Sequence, residues 1–206
     1  MSIARRHHRQ IPSLIGAFAF LAASASPGLA QAHRNPAVPD SLRHIQSVVP
    51  RSGPPGTLVE ISTKNLPLQS GVIIGIGAIG TGFEELGRVE QGELGEISAS
   101  VRIPESVTWD RAQFLIIFDR NFVPTALSDP FHVTNAEGMI RRRGRITSEG
   151  TECVTMQGED DDLYALTGAI GDVEPGDEVT VEGRYVESGA CPRGDVIAVE
   201  RVVREP

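Results

Sequence analysis

The sequence predicts an all-β fold, a β-sandwich followed by a small OB-like barrel, and three observations carry that prediction. Apolar residues recur with period two or in short runs, broken every dozen or so residues by Pro, Gly, Asn or Asp. No stretch beyond residue 40 has the 3.6-residue period of an amphipathic helix. The two cysteines, Cys153 and Cys191, both fall in the second half.

The first 32 residues stand apart from this pattern. Arg5, Arg6 and Arg9 open the chain without an acid among them, and an apolar stretch runs from Ile11 to Ala25. Pro27-Gly28-Leu29-Ala30-Gln31-Ala32 then ends in small residues. A basic start, a short apolar centre and a small-x-small ending make up a secretory signal. Ala30 and Ala32 occupy the positions a signal peptidase reads, with cleavage before His33. The apolar stretch is shorter than the ~20 residues that span hydrocarbon, so no stable membrane insertion is expected after cleavage. This predicts a periplasmic or secreted bacterial protein.

Cleavage removes three Arg and no acid, taking the formal charge of the 206-residue chain from −8 to −11. So acidic a protein repels phosphate backbones and does not concentrate at anionic membranes. The remaining 174 residues suit two small domains. In an oxidising compartment, an isolated pair such as Cys153 and Cys191 forms a disulfide, whereas a redox-active pair expects C-x-x-C spacing.

Residues 33–40 are expected to be a disordered lead-in, and 41–134 to form the sandwich. His44 to Val49 is a short apolar-rich strand stopped by Pro50. Arg51-Ser52-Gly53-Pro54-Pro55-Gly56 cannot be helix or central strand, because Pro lacks a donor and Gly favours bends. Thr57 to Thr63 alternates, with Val59 and Ile61 on one face. Val72 to Ile76 is a continuous apolar run. Ile97, Ala99, Val101 and Ile103 alternate with Ser98, Ser100 and Arg102, giving one buried and one wet face. Ala112 to Phe118 reads as a central strand, and Pro130 to Thr134 as a last short one.

The run IQSVVPRSGPPGTLVEISTKNL, followed by ASVRIPES, AQFLIIFD and SDPFHVT, resembles the IPT/TIG type of immunoglobulin-like domain. Ser52, Gly53, Gly56 and Thr57 carry the resemblance, which covers nearly all of 41–134. It implies an immunoglobulin-like β-sandwich in an adhesive, spacer or surface-display role, without catalysis. One departure is that the family often follows its second strand with Gly-x-x-Phe, whereas Ile61 to Leu66 here leads into Pro67.

Gly75-Ile76-Gly77-Ala78-Ile79-Gly80 matches G-x-G-x-x-G after a strand. A dinucleotide site needs its last Gly to open a helix whose N-terminus holds the pyrophosphate. The residues that follow, through Gly82, Gly87, Gly92 and Gly95, are too rich in Gly to sustain one. A Gly-rich bend between strands is the better reading.

Asn135 to Gly138 is a short polar linker, and 139–206 the barrel. Arg141, Arg143 and Arg145 project to one face, while Ile140, Gly144 and Ile146 face the other with Arg142 among them. Further strands are expected at Glu152 to Met156, Leu163 to Leu166, Glu178 to Val186 and Val196 to Val203. Five short strands with a Gly-rich connection suit a small OB-like barrel, with Gly183 letting its strand coil. The stretches GRITSEGTEC, LYALTG, PGDEVTVEG and ACPRGDVIAVERV are similar to a family of uncharacterised secreted bacterial domains. That resemblance implies two Cys at these places, in agreement with a Cys153–Cys191 bond.

Several functions are disfavoured. Residues 137–206 hold sixteen acids and eight Arg, with Tyr164 and Tyr185 as the aromatics, unlike the basic groove with aromatic platforms that binds single-stranded nucleic acid. The Arg141, Arg143, Arg145 stripe is expected to pair with neighbouring acids. Glu159-Asp160-Asp161-Asp162 offers hard oxygens for calcium but lacks the spacing of an EF-hand, and adjacent acids in a hairpin usually face water. His44 and His132 lack zinc-ligand spacing around them. There is no G-x-S-x-G elbow and, if Cys153 and Cys191 are bridged, no candidate thiol, and the two small modules leave little room for a deep cleft. No catalytic, cofactor or metal residue is assigned. Trp109, beside Asp110 and Arg111, is the candidate ligand contact, though a lone Trp is more often a plug of the sandwich. The resulting expectation is a non-catalytic envelope protein that contacts another envelope protein. Binding of cell-wall glycan or exported polysaccharide is the alternative.

Overall fold

The computed structural model describes residues 43–205 apart from 69, 70, 79, 151, 188 and 190. The expected signal segment with Ala30 and Ala32, and the expected lead-in 33–40, lie outside the described residues. The described residues form fourteen strands and no helix. Two sheets make the first half. One has three strands, β1 (Ser47–Val49), β3 (Leu58–Thr63) and β6 (Ile97–Arg102), in the order β1-β3-β6. The other runs β2 (Ser52–Gly53), β9 (Phe131–Val133), β7 (Ala112–Phe118), β4 (Val72–Gly77) and β5 (Phe83–Val89), with β8 (Pro124–Leu127) also on β7.

Period two decides which residues meet. Val59 and Ile61 of β3 point inward while Leu58, Glu60 and Ser62 stay exposed, and with Ile97 and Val101 they meet Ile74, Leu115, Ile117, Phe131 and Val133 of the other sheet in one buried cluster. Central strands β4 and β7 are covered on both faces, which is why they read as unbroken apolar runs. β8 and β9 share one side of β7, joined by a kink at Ser128. Its backbone N–H donates to Leu115 O, and its hydroxyl accepts from Leu115 N–H, both at 3.0 Å.

The G-x-G-x-x-G run is a hairpin feature. Gly75 and Gly77 lie within β4, where a Cβ on Gly75 would strike the rings of Phe118 and Phe83, and Gly80 turns the chain with φ 73°. The bend expected after it leads into β5, a strand with no inside–outside alternation and a largely exposed face. Without alternation it left no periodic signal, and β8, only four residues long, was missed for the same reason.

The second half is a closed five-stranded barrel of β10 (Ile140–Thr147), β11 (Val154–Gly158), β12 (Leu163–Gly168), β13 (Glu178–Val186) and β14 (Asp195–Arg204). Its order is β10-β11-β12-β14-β13, with β12 and β14 parallel and β13 closing on β10, so the expected OB-like barrel is present. Gly183 sits at the register shift of β13 against β14, where the backbone at Ala198 leaves no room for a side chain. The Cys153–Cys191 disulfide ties the segment before β11 to the β13–β14 connection, with Cα atoms 5.9 Å apart. Between the halves, the side chain of Asn135 accepts the N–H groups of Glu137 and Met139.

Candidate functional site

Strand β10 creates the site by alternation alone. Arg141, Arg143 and Arg145 are exposed, and Ile140, Arg142, Gly144 and Ile146 are buried. The outward three pair with acids, Arg141 with Glu182 (2.6 Å), Arg143 with Glu159 (3.4 Å) and Arg145 with Glu178 (2.6 Å). Arg142 faces the seam between barrel and sandwich and is 1% exposed. A buried guanidinium is tolerable only where its donors find acceptors, and four of its five N–H groups do. Nε donates to the Tyr164 hydroxyl (3.0 Å), and Nη1 to the carbonyls of Trp109 (2.9 Å) and Arg141 (2.7 Å). Nη2 meets His132 Nδ1 at 3.0 Å.

That last contact fixes a tautomer. Arginine can only donate, so Nδ1 of His132 is unprotonated and Nε2–H donates to Asp195 at 2.9 Å. His132, from β9, is fully buried. Burial holds its pKa below the ordinary value, and the charge of Arg142 acts the same way against the attraction of Asp195. Asp195 also accepts from Arg51 (3.3 Å). Burial acts to raise its pKa, but the hydrogen bond from His132 and the nearby positive charge outweigh it and hold the carboxyl below its usual range. Tyr185 lies against the imidazole with ring centres 4.2 Å apart, and burial pushes its hydroxyl up to about 12.

On the other side of Arg142, Tyr164 donates to Asp160 at 2.6 Å, and Asp160 also accepts the backbone N–H of Ala112 at 3.3 Å. The acidic turn therefore departs from its expected wet orientation. Glu159 and Asp161 are exposed, whereas Asp160 is 9% exposed and Asp162 is half-buried. Asp160 turns inward because Arg142, Tyr164 and a free N–H at the start of β7 converge there. Burial, then the negative charge of Asp160, push the Asp162 carboxyl up to about 7. Among the described residues, no group of three or more His, Cys, Asp or Glu is arranged to hold a metal ion.

The seam thus joins Arg51, Trp109, Ala112 and His132 of the sandwich to Arg142, Asp160, Tyr164, Tyr185 and Asp195 of the barrel. Trp109 is half-buried. Its indole packs against the sandwich core, and the guanidinium of Arg141 lies over the ring at 4.5 Å. His44 meets Asp129 at 3.4 Å. Sequence reasoning weighed His132 only as a zinc ligand and Asp160 only as part of a solvated acidic turn, and did not single out Asp195. The one available signal was Arg142, a charged residue at an inward position. Beside the seam opens a cleft of about 350 Å³ lined by Ala78, Asp110, Arg111, β10, Glu159, Asp160 and Thr180, where little room had been expected.

Fold and site together define an all-β protein whose two halves are joined by a buried, hydrogen-bonded polar seam. No protein-family model, curated protein or solved structure matches the chain.

Proposed function

We propose that this is an exported, non-catalytic component of a bacterial envelope, acting as a structural or interaction module that contacts another envelope protein. The seam carries the reading. Its ionisable side chains resemble parts of a catalytic site, yet both nitrogens of His132 are occupied and Arg142 is enclosed. Such an arrangement holds two β units in one orientation, as a spacer or docking scaffold requires. The disulfide fits an oxidising compartment. No helix among the described residues is long and apolar enough to cross a membrane. The likeness of residues 41–134 to IPT/TIG-type immunoglobulin-like domains supports the same role. Glycan stacking on Trp109 is the weaker reading, since the indole is half-buried against the core and Arg141 already lies over its ring.

The test is in-cell photo-crosslinking of the tagged, full-length protein. The crosslinker is placed in turn at Phe83 and Phe122, two exposed rings that meet at 5.9 Å between centres, and at the exposed Leu58. One dominant envelope protein captured from at least one position supports the proposal. Products at none of them, or only cytoplasmic ones, would count against it.

A further inference from the structure

We propose that the cleft beside the seam binds a carboxylate group on a ligand of about monosaccharide size, such as a uronic acid, through Arg111 and Arg143. The inference is independent of the protein partner proposed above. It begins with the donors. Arg141 and Arg145 each have a carboxylate at hydrogen-bond distance, 2.8 and 2.9 Å from Nε. Arg111 and Arg143 do not. Their acids, Asp110 and Glu159, stand 3.8 and 3.4 Å away as ion pairs without a hydrogen bond. Asp110 is further occupied by the Thr108 hydroxyl at 2.5 Å. Glu159 is 65% exposed and free to swing aside.

Two guanidinium forks with unused donors therefore line one cavity. Arg143 is placed there by the outward phase of β10, and Arg111 by the short connection that leads into β7. Paired N–H donors of a guanidinium match the two oxygens of a carboxylate, giving short, charge-assisted bonds. Of the four Arg in the lining, Arg141 and Arg142 are matched by Glu182 and Asp160, so attraction for an anion rests on Arg111 and Arg143, whose own acids are held only as loose ion pairs. A volume of about 350 Å³ lies at the small end of ligand pockets. Thr180, whose hydroxyl donates to Glu205 at 2.8 Å and keeps lone pairs to accept from a ligand hydroxyl, adds polar wall. Arg141 connects the site to the only Trp of the chain, so occupancy is expected to change Trp109 emission.

The experiment is calorimetric titration of the full-length protein at low ionic strength with galacturonate, trigalacturonate and glucose, with Trp109 fluorescence followed in parallel. Saturable binding of the two acids but not of glucose is expected. Arg111→Gln and Arg143→Gln should each weaken it about tenfold, the scale of one lost charge-assisted bond. Arg145→Gln, outside the cleft, should not. Both cleft arginines are about half exposed, so unfolding midpoints should stay unchanged and separate lost binding from lost fold. Tighter binding of trigalacturonate would assign the carboxylate to a polysaccharide, and equal binding to a free small acid. No saturable binding of either acid, equal binding of glucose, or wild-type affinity in both variants would overturn the proposal.

Discussion

The apolar core of the sandwich and the polar seam beneath it both exclude water, and they hold the molecule together by opposite means. In the core, Val59, Ile74, Leu115, Ile117 and Phe131 are fully buried and stabilise by non-directional burial, worth about 1.5–3 kcal/mol for each such side chain. In the seam, Arg142, His132 and Tyr164 are as deeply buried, but each depends on a partner at a set distance and angle. The core tolerates changes of shape within its volume. The seam tolerates almost no change of chemistry, because removing one group leaves several others desolvated and unpaired.

The largest effect should follow Arg142→Ala. It leaves His132 Nδ1 without its donor, takes one bond each from the Tyr164 hydroxyl and the Trp109 and Arg141 carbonyls, and deprives Asp160 of its counter-charge. We expect a loss of about 3–5 kcal/mol in urea unfolding, the scale for breaking a buried pair. Lysine at this position should not restore it, lacking the fork that reaches several acceptors. If sandwich and barrel then melt in separate transitions, the seam is what couples them. A loss below about 1 kcal/mol would place it among weak surface pairs.

Next is the disulfide, which links residues 38 apart in sequence. Cys153→Ser with Cys191→Ser should cost about 4 kcal/mol in the chain-entropy model, confined to the barrel while the sandwich keeps its unfolding midpoint. Equal destabilisation of both halves would show that the barrel and seam unfold together. Ile117→Val, in the apolar core, should cost only about 1 kcal/mol and leave the cooperativity of the transition intact, in contrast to Arg142→Ala.

The mildest test is pH. Asp162 titrates at about 7 in the fold against 3.8 ordinarily, so the folded state retains a proton that the unfolded chain has released. Its stabilising contribution is therefore present in acid and lost as pH rises towards and through 7. Asp162→Asn should gain on the wild type as pH rises from 5 to 8 in thermal melts. His132 acts in the opposite sense. Its folded pKa lies below 6.5, so stability is lost as pH falls below that value and the unfolded chain takes up the proton. An unchanged wild-type–variant difference across this range would show that Asp162 is ionised throughout.

Much of the fold was legible because period two survives in short strands. β7 and β13 match their expected bounds, and the inward phase of Arg142 was present in the spacing of β10. The edge strand β5 escaped because an exposed strand need not alternate. The seam escaped for a different reason. His132 is flanked by Phe131 and Val133 and reads as an ordinary strand residue, and Asp195 lies 63 positions away with no local pattern to link them. Asp160 sits in a run of acids that by composition belongs in water.

The sequence by itself determined the all-β class, the barrel, the pairing of its only two cysteines and the buried phase of Arg142, because each depends on local periodicity or on a count. Only the tertiary structure decided that Arg142 would meet His132, Tyr164 and the Trp109 carbonyl, that Asp160 would turn inward, and that Arg111 and Arg143 would share one cleft. Those outcomes depend on where the barrel docks against the sandwich, and a desolvated charge selects its partners by distance and angle, which no spacing along the chain encodes.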